Sequence, residues 1–187
     1  MANKYQDIRE NLTTGDCLLT KGTSPISRAI RLFSEYSHAY MVVRPKEYKW
    51  LMDRVFLLEA HTVGVRFILL SNLVQTKKGQ IDVFKPKDLP EEKKDKLMVD
   101  AMISSASQIR YNFGGLFANL LRRTSTSLDS YFCSELVWVK WLKCGYIKMD
   151  SPVLTDDGAI GLSKGVSPRP GDIPKWICGD LIRNIKK

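Results

Sequence analysis

The sequence predicts an α+β domain in which helices pack around a small antiparallel sheet. Short apolar runs of strand length recur in the first half of the chain, as in CLLTKG, HAYMVVR, VFLLEAH and GQIDVF. Two other segments, SPISRAIRLFSEY and LPEEKKDKLMVDAMISSASQI, space their apolar residues as helices do. A chain of 187 residues without repeats or a convincing linker suits one compact domain, residues 1–187.

The first predicted elements are a turn, a strand and a helix. Gly15 and Asp16 indicate a turn that leads into the strand beginning at CLLT. In the helical segment that follows, Ser24 suits the N-cap and Pro25 the first helical position. The buried stripe of this helix is predicted from its apolar residues, which are Ile26, Ala29, Ile30 and Phe33.

Four apolar runs then predict strands. HAYMVVR and RVFLLEAH are almost wholly apolar, which is typical of strands covered on both faces. VRFILLSNLV and GQIDVFKP follow, and Pro86 ends the second of them. The segment RPKEYKWLMDR, between the first two runs, is interpreted as an insertion or an extended hairpin.

The second half of the chain begins with a helix that has Pro90 near its start and acidic residues in its first turns. The residues predicted to face inward are Leu97, Met98, Ala101 and Met102. RYNFGGLFANLLRR is ambiguous, because two glycines interrupt an apolar helical turn. A helix with Cys133 near its start follows, with Trp138 and Trp141 predicted in the core, and the Gly- and Pro-rich tail DSPVLTDDGAIGLSKGVSPRPGDIPKW is predicted as loop.

Composition limits the class of protein. With 44% hydrophobic and 26% charged residues, the chain is expected to fold rather than to be disordered. The net charge of +9 is spread among interleaved acids, as in PEEKKDKL. This pattern favours a solvated basic surface, with a patch for anionic membranes or acidic substrates as the alternative. No specific nucleic-acid partner is expected.

One of the four cysteines occupies a position that favours chemistry. The cysteines are widely spaced, so neither a disulfide framework nor a zinc site is predicted, and no cofactor is expected. If Ser130 caps its helix, Cys133 lies in the first turn, where unpaired N–H groups and the helix dipole favour a thiolate. Cys17, Cys144 and Cys178 lack this setting, and for Cys133 itself a buried core thiol is the alternative interpretation.

Histidine and glutamate residues could complete a site around that thiol. The chain has two histidines, His38 at a helix-to-strand junction and His61 near the end of the next predicted strand. Glu59 precedes His61 by two residues, so on a strand both would face the same way, and a buried carboxylate there would need a partner. A cysteine nucleophile needs a base and a third group that orients it. Cys133, His38 and Glu59 fit these three roles.

The order of several motifs resembles a known enzyme family. TGDCLLTKG, YSHAYMVV, FLLEAHTVGV, YFCSELVWVKW and SPRPGDIP, which extend over almost the whole chain, are similar to the YiiX/YebB-like group of circularly permuted, NlpC-type papain-like cysteine hydrolases. In that family the histidine-bearing strand precedes the cysteine-bearing helix. The resemblance implies a permuted papain-like fold with the nucleophile at a helix N-terminus.

The resemblance also implies roles for individual residues. Cys133 would be the nucleophile, His38 the general base, and Glu59 the group that orients the imidazole, with His61 a rival for this third position. The Cys133 backbone N–H is the natural oxyanion donor, aided by a side chain such as Tyr40, although a tyrosine in a central strand also suits the core.

The expected activity is that of a cysteine peptidase or amidase. The Cys133 thiolate would attack an amide, ester or thioester carbonyl of a peptide, an amino-acid amide or an acyl lipid. The alternatives are a lipid acyltransferase or thioesterase of the same fold, and a non-catalytic module that binds membrane or nucleic acid. The sequence shows no signal peptide and no apolar run long enough to span a bilayer, so a cytoplasmic location is expected.

Overall fold

The computed structural model describes residues 4–45, 54–77, 79–107, 109–111, 130–148, 152–155, 158–161, 169–174 and 181–182. Their elements are α1 (Lys4–Asn11), β1 (Cys17–Lys21), α2 (Pro25–Arg31), β2 (His38–Val43), β3 (Phe56–His61), β4 (Gly64–Leu69), α3 (Leu70–Thr76), β5 (Gln80–Phe84), α4 (Glu91–Ala106), β6 (Arg110–Tyr111), β7 (Ser130–Tyr131), α5 (Cys133–Lys143), β8 (Pro152–Thr155), β9 (Gly158–Gly161), a short 3₁₀ helix (Pro170–Asp172) and β10 (Leu181–Ile182).

A six-stranded sheet organises the fold, with the strand order β10-β5-β1-β2-β3-β4. Every neighbouring pair in this sheet is antiparallel. Because β1 and β2 lie in its middle, their side chains are covered on both faces, and both strands are almost entirely buried. The predicted α+β class, with helices packed on a small antiparallel sheet, is confirmed.

Alternate side chains along the strands point to opposite faces of the sheet and contribute to two hydrophobic clusters, one on each face. On one face Leu19 and Met41 pack with α4 and α5 through residues such as Leu97, Leu136 and Trp141. On the other face the strands pack with α1 and α3, through Leu12, Leu18, Val42, Leu57, Leu70 and Leu73. Helix α5 thus packs on the central strand β2, and its first residue, Cys133, contacts Ala39 near the start of that strand.

The strand predictions hold, with one correction. The run VRFILLSNLV is a strand only as far as Leu69, and α3 begins at Leu70. Leu70 and Leu73 are both buried there, three residues apart. This spacing brings both leucines to one face of a helix, whereas on a strand they would point to opposite faces.

Helix α2 begins as predicted but buries less than predicted. The Ser24 side chain accepts a hydrogen bond from the Ser27 N–H, and Pro25 is the first helical residue. Of the four residues predicted as its buried stripe, Ile30 is buried, whereas Ile26 is 63% and Phe33 46% exposed and Ala29 is also exposed. The periodicity identified the apolar face of this helix correctly, but the fold does not cover it.

Two further predictions for helices need correction. In α4 the residues Leu97, Met98 and Ala101 are buried as predicted, but Met102 is 37% exposed. Ser130 does not cap α5, because it pairs in β7 with the parallel strand β6, and Phe132 is the N-cap.

The tail was wrongly predicted as loop throughout, because β8 and β9 form an antiparallel hairpin within it and Pro170–Asp172 form a 3₁₀ helix. Beyond the predicted loop, β10 extends the main sheet. Trp141 is fully buried, as predicted, while Trp138 is half-buried. Most of RPKEYKWLMDR, the segment GGLFANLLRR and Cys178 lie outside the described residues. Within the described part of the chain, no helix is long and apolar enough to cross a membrane.

Candidate active site

Cys133 is the first residue of α5 and lies at the N-terminal end of that helix. Its side chain is 1% exposed. Burial alone would raise the pKa of the thiol, but the charge of His38, a hydrogen bond with its ring, and backbone hydrogen bonds from Ala39 and Ser134 together lower the pKa below its usual value. The surroundings of Cys133 therefore favour a thiolate.

His38 opens strand β2 and contacts the Cys133 side chain. Burial acts to lower the pKa of the imidazole, but the charge and hydrogen bond of Cys133 and the interaction with Glu59 outweigh it and raise the pKa to about 9. A lowered thiol pKa beside a raised imidazole pKa is the signature of a thiolate–imidazolium ion pair. Such a pair is the activated form of a cysteine nucleophile.

Glu59 holds the other side of the imidazole ring. Its Oε2 lies 3.1 Å from His38 Nε2, and its side chain is only 4% exposed. Burial acts to raise the pKa of this carboxyl, but the hydrogen bonds and charges of His38 and Arg66 lower it. Glu59 is therefore an anion that orients the ring and stabilises its protonated form.

Arg66 is the residue of this cluster that the sequence analysis missed. Its Nε and Nη2 donate to Glu59 Oε1 at 2.9 and 2.8 Å, respectively. Glu59 and Arg66 are directly paired across the β3–β4 hairpin. The signal was present in the sequence, because a hairpin closed by the turn at Thr62 and Val63 pairs these two residues, and a buried acid needs a counter-ion.

The two remaining candidate residues lie beside this series of contacts. The Tyr40 ring packs edge to face against the His38 ring, with centroids 4.5 Å apart, and the residue is 3% exposed. Burial raises the pKa of Tyr40, so its phenol stays protonated. His61 Nδ1 contacts Thr62 Oγ1, and burial and the charge of Arg66 lower the pKa of His61. It is Glu59, not His61, that contacts the His38 ring.

The other described cysteines have the opposite electrostatic setting. Burial raises the pKa of Cys17 well above its usual value, and it also raises the pKa of Cys144. Cys144 lies at the C-terminal end of α5, where the helix dipole disfavours an anion. Among the described thiols, a lowered pKa distinguishes Cys133.

A cavity of about 350 Å³ borders this site and is lined by residues of α2, α3 and the strands β2, β3 and β4. His38, Tyr40 and Glu59 are among its polar lining residues, and Ile26, Ile68 and Leu73 are among its apolar ones. Lys77 also lines it, and burial lowers the pKa of Lys77 while the charges of Glu59 and Cys133 act to raise it. His38 thus contacts both the buried thiol and the cavity.

Comparison with known proteins agrees with this arrangement, in which the histidine strand β2 precedes the cysteine helix α5 along the chain. A family model described as the permuted papain-like amidase enzymes, YaeF/YiiX, C92 family, matches residues 11–159. The chain belongs to this family. The matched range includes His38, Glu59 and Cys133.

A solved structure shows the same fold. The crystal structure of the metalloprotein yiiX from Escherichia coli O157:H7 superposes with a TM-score of 0.57 at 22% sequence identity, covering 92% of this chain and 88% of that chain. No curated protein matches the chain in sequence. The YiiX-like relationship that the sequence motifs indicate and the permuted papain-like fold are confirmed.

That solved structure is of a metalloprotein. Among the residues that the structure describes, no three His, Cys, Asp or Glu side chains converge as metal ligands. The ring of His38 is shared between Glu59 and Cys133, and Glu59 is also held by Arg66. These side chains do not fit a metal centre, and they do fit a nucleophile with its base.

Proposed function

We propose that this protein is a cysteine hydrolase, of the amidase or peptidase type, that cleaves an amide or related acyl bond through Cys133. The observation that carries the proposal is the continuous series of contacts from Cys133 through His38 and Glu59 to Arg66. Glu59 helps to raise the pKa of His38, and Arg66 helps to lower the pKa of Glu59. These are the directions that an imidazolium beside a thiolate nucleophile needs. The family of permuted papain-like amidases supports the same reaction class.

The first half of the reaction forms an acyl-enzyme. The Cys133 sulfur donates an electron pair to the carbonyl carbon, and the carbonyl oxygen becomes an oxyanion. The Cys133 backbone N–H is the first donor we assign to this oxyanion, because N–H groups in the first turn of a helix lack intrahelical partners. The Tyr40 phenol, which stays protonated, is a second candidate donor. The His38 imidazolium then gives its proton to the leaving amine as the C–N bond breaks.

The second half of the reaction regenerates the thiolate. Neutral His38 takes a proton from water, and the resulting hydroxide attacks the thioester carbonyl. Collapse of this intermediate releases the carboxylic acid, and the proton on His38 again pairs with the Cys133 thiolate. Throughout the cycle, Glu59 keeps Nε2 of His38 engaged, so the nitrogen that faces Cys133 is the one that exchanges protons.

The test is the rate of Cys133 alkylation by iodoacetamide, followed by mass spectrometry as a function of pH. We expect selective labelling of Cys133 that persists below pH ~7 and is lost in His38→Ala. His61→Ala is the matched control, because the described hydrogen bond of His61 is with Thr62 and not with the pair, and it should label as the wild type does. Labelling of Cys133 no faster than that of an unfolded cysteine, and indifferent to His38, would contradict the proposal.

A labelled thiol must then be connected to a reaction. Amino-acid amides, short peptides and acyl esters should be screened with wild type and with Cys133→Ser. Turnover that requires Cys133 and releases a free acid identifies a hydrolase, whereas transfer of the acyl group to an added amine or alcohol identifies an acyltransferase, the alternative of the same fold. Absence of Cys133-dependent turnover together with an inert thiol would favour the non-catalytic binding module.

A further inference from the structure

Helix α2 turns an apolar surface toward solvent. Leu32 is 80%, Ile26 63% and Phe33 46% exposed. The backbone bonds from Leu32 to Ala29 and from Phe33 to Ile30 continue the helical turn past Arg31. Ile26, Ala29 and Phe33, at spacings of three and four residues, therefore lie along one exposed side, with Leu32 beside them. We refer to Ile26, Ala29, Leu32 and Phe33 as the α2 face.

The charged residues of the helix that carries the α2 face are all of one sign. Residues 23–34 contain no acid, and they include Arg28 and Arg31 in the last turns of the helix. Neither arginine forms an ion pair with a described residue, and the next acid along the chain, Glu35, is bound by Lys21 at 2.8 Å. The whole chain carries a net charge of +9. The exposed apolar surface thus lies beside cations that no acid in the described part of the chain pairs with.

The α2 face also borders the cavity that reaches the candidate active site. Ile26 and Ser27 contribute to the wall of this cavity, as does His38. Thr62 lines the same cavity from the β3–β4 turn, and the next residue, Val63, is 77% exposed. Helix α2 and the β3–β4 turn therefore both carry exposed apolar side chains, and both line the same cavity.

From these observations we propose that the α2 face docks on an anionic phospholipid bilayer. Apolar side chains enter the acyl boundary of a bilayer while flanking arginines remain with the anionic headgroups, and the α2 face presents both groups together. A second copy of this chain fits less well, because a symmetric contact would bring Arg28 and Arg31 close to their own equivalents without an acid on the helix. Charge complementarity selects the bilayer over the homodimer.

Docking in this orientation turns the cavity toward the membrane. Substrates with an acyl chain would then enter the cavity from the bilayer. This one consequence rests on the proposed hydrolase function. The docking itself does not depend on the chemistry of Cys133. Membrane binding and catalysis can therefore fail or succeed independently in experiments.

The test is co-sedimentation of the full chain with vesicles of phosphatidylcholine, with and without about one third phosphatidylserine. We expect binding to the anionic vesicles that weakens at high salt and is retained by Cys133→Ser. Leu32→Ser should weaken binding about tenfold. Arg28→Gln combined with Arg31→Gln should weaken it by about fivefold per charge. Leu32 and both arginines lie outside the candidate active site, so iodoacetamide labelling of Cys133 should not change in these variants.

The matched control is Ile103→Ser on α4, since Ile103 is 59% exposed and lies on a different helix. It should bind vesicles as the wild type does, and circular dichroism should show the same fold in every variant. Three results would overturn the proposal: no binding of the wild type to anionic vesicles, an equal loss in Ile103→Ser, or a concentration-dependent dimer that Leu32→Ser dissociates in the absence of vesicle binding.

Discussion

At the scale of single residues, Glu59 shows how one buried carboxylate sets the chemistry of its neighbours. It lies between two cationic groups, with one oxygen toward His38 and the other toward Arg66. The carboxylate contributes to the raised pKa of His38, and protonated His38 in turn lowers the pKa of Cys133. A change at Glu59 should therefore alter the pKa of Cys133, although the described interactions include no direct contact between these two side chains.

Glu59→Gln preserves the shape of this residue and removes its charge. We expect activity, and alkylation of Cys133 near neutral pH, to fall by about 10²- to 10⁴-fold, because the imidazolium loses its stabilising anion. Arg66→Gln should have a smaller effect, about tenfold, because the Arg66 side chain is 43% exposed and its charge is screened by water. Rates of iodoacetamide labelling for both variants test this order, and a larger loss in Arg66→Gln would contradict it.

The pH profile follows from the same pair of residues. The reactive form needs Cys133 deprotonated and His38 protonated. Because the pKa of Cys133 is lowered and the pKa of His38 is raised to about 9, activity should rise with pH as the thiol ionises and fall again above about pH 9 as the imidazolium is lost. In Glu59→Gln the alkaline limb should move to lower pH. A wild-type activity that keeps rising beyond about pH 10 would show that protonated His38 is not required.

At the scale of elements, a buried ion pair joins α4 to α5. Lys140 Nζ lies 2.5 Å from Asp100 Oδ2 and also contacts the Ser104 hydroxyl, and the Lys140 side chain is 0% exposed. Burial lowers the pKa of Lys140, and the bond to Asp100 opposes this shift. The pair fixes the orientation of the helix whose first residue is Cys133.

Removal of the two partners should have unequal effects on stability. Asp100→Ala leaves a buried ammonium without its counter-ion and should reduce the free energy of unfolding by about 3 kcal/mol. Lys140→Met replaces the buried lysine with an apolar side chain. Asp100 is 24% exposed and near Lys143, so it stays hydrated, and the free energy of unfolding should fall by only about 1 kcal/mol. Urea unfolding measures both, with Lys143→Met as an exposed control within about 0.5 kcal/mol. Equal losses for Asp100→Ala and Lys140→Met would contradict this account.

The comparison of sequence with structure is most instructive at this scale. The central strands could be predicted because burial on both faces leaves an almost continuous apolar run, as in β2. The exposed stripe of α2 could not, because periodicity identifies an apolar face but not whether the fold covers it. The N-cap of α5 was misplaced because Ser130 pairs with a distant strand, an interaction that no local pattern encodes. Arg66 was accessible in principle through hairpin pairing, but only after the β3–β4 turn had been located.

At the scale of the whole molecule, two buried cysteines of one hydrophobic cluster have different electrostatic settings. Cys17 lies on β1, between β2 and β5 in the middle of the sheet, and is fully buried. Cys133 is almost as buried, yet it lies at a helix N-terminus beside a protonated imidazole. Burial alone therefore does not distinguish the two cysteines, but the direction in which their surroundings shift the thiol pKa does.

This difference predicts two labelling regimes in urea. A central strand exposes its side chains only when the whole sheet opens, so labelling of Cys17 should follow global unfolding and should rise steeply with urea. Labelling of Cys133 by a small reagent should be fast without urea and nearly independent of it below the unfolding transition, because its rate reflects the thiolate of the folded state. Mass spectrometry of both peptides in one sample measures the two rates together. If Cys133 labelling instead rises with urea in parallel with Cys17, its reactivity comes from unfolding, and the folded site is not activated.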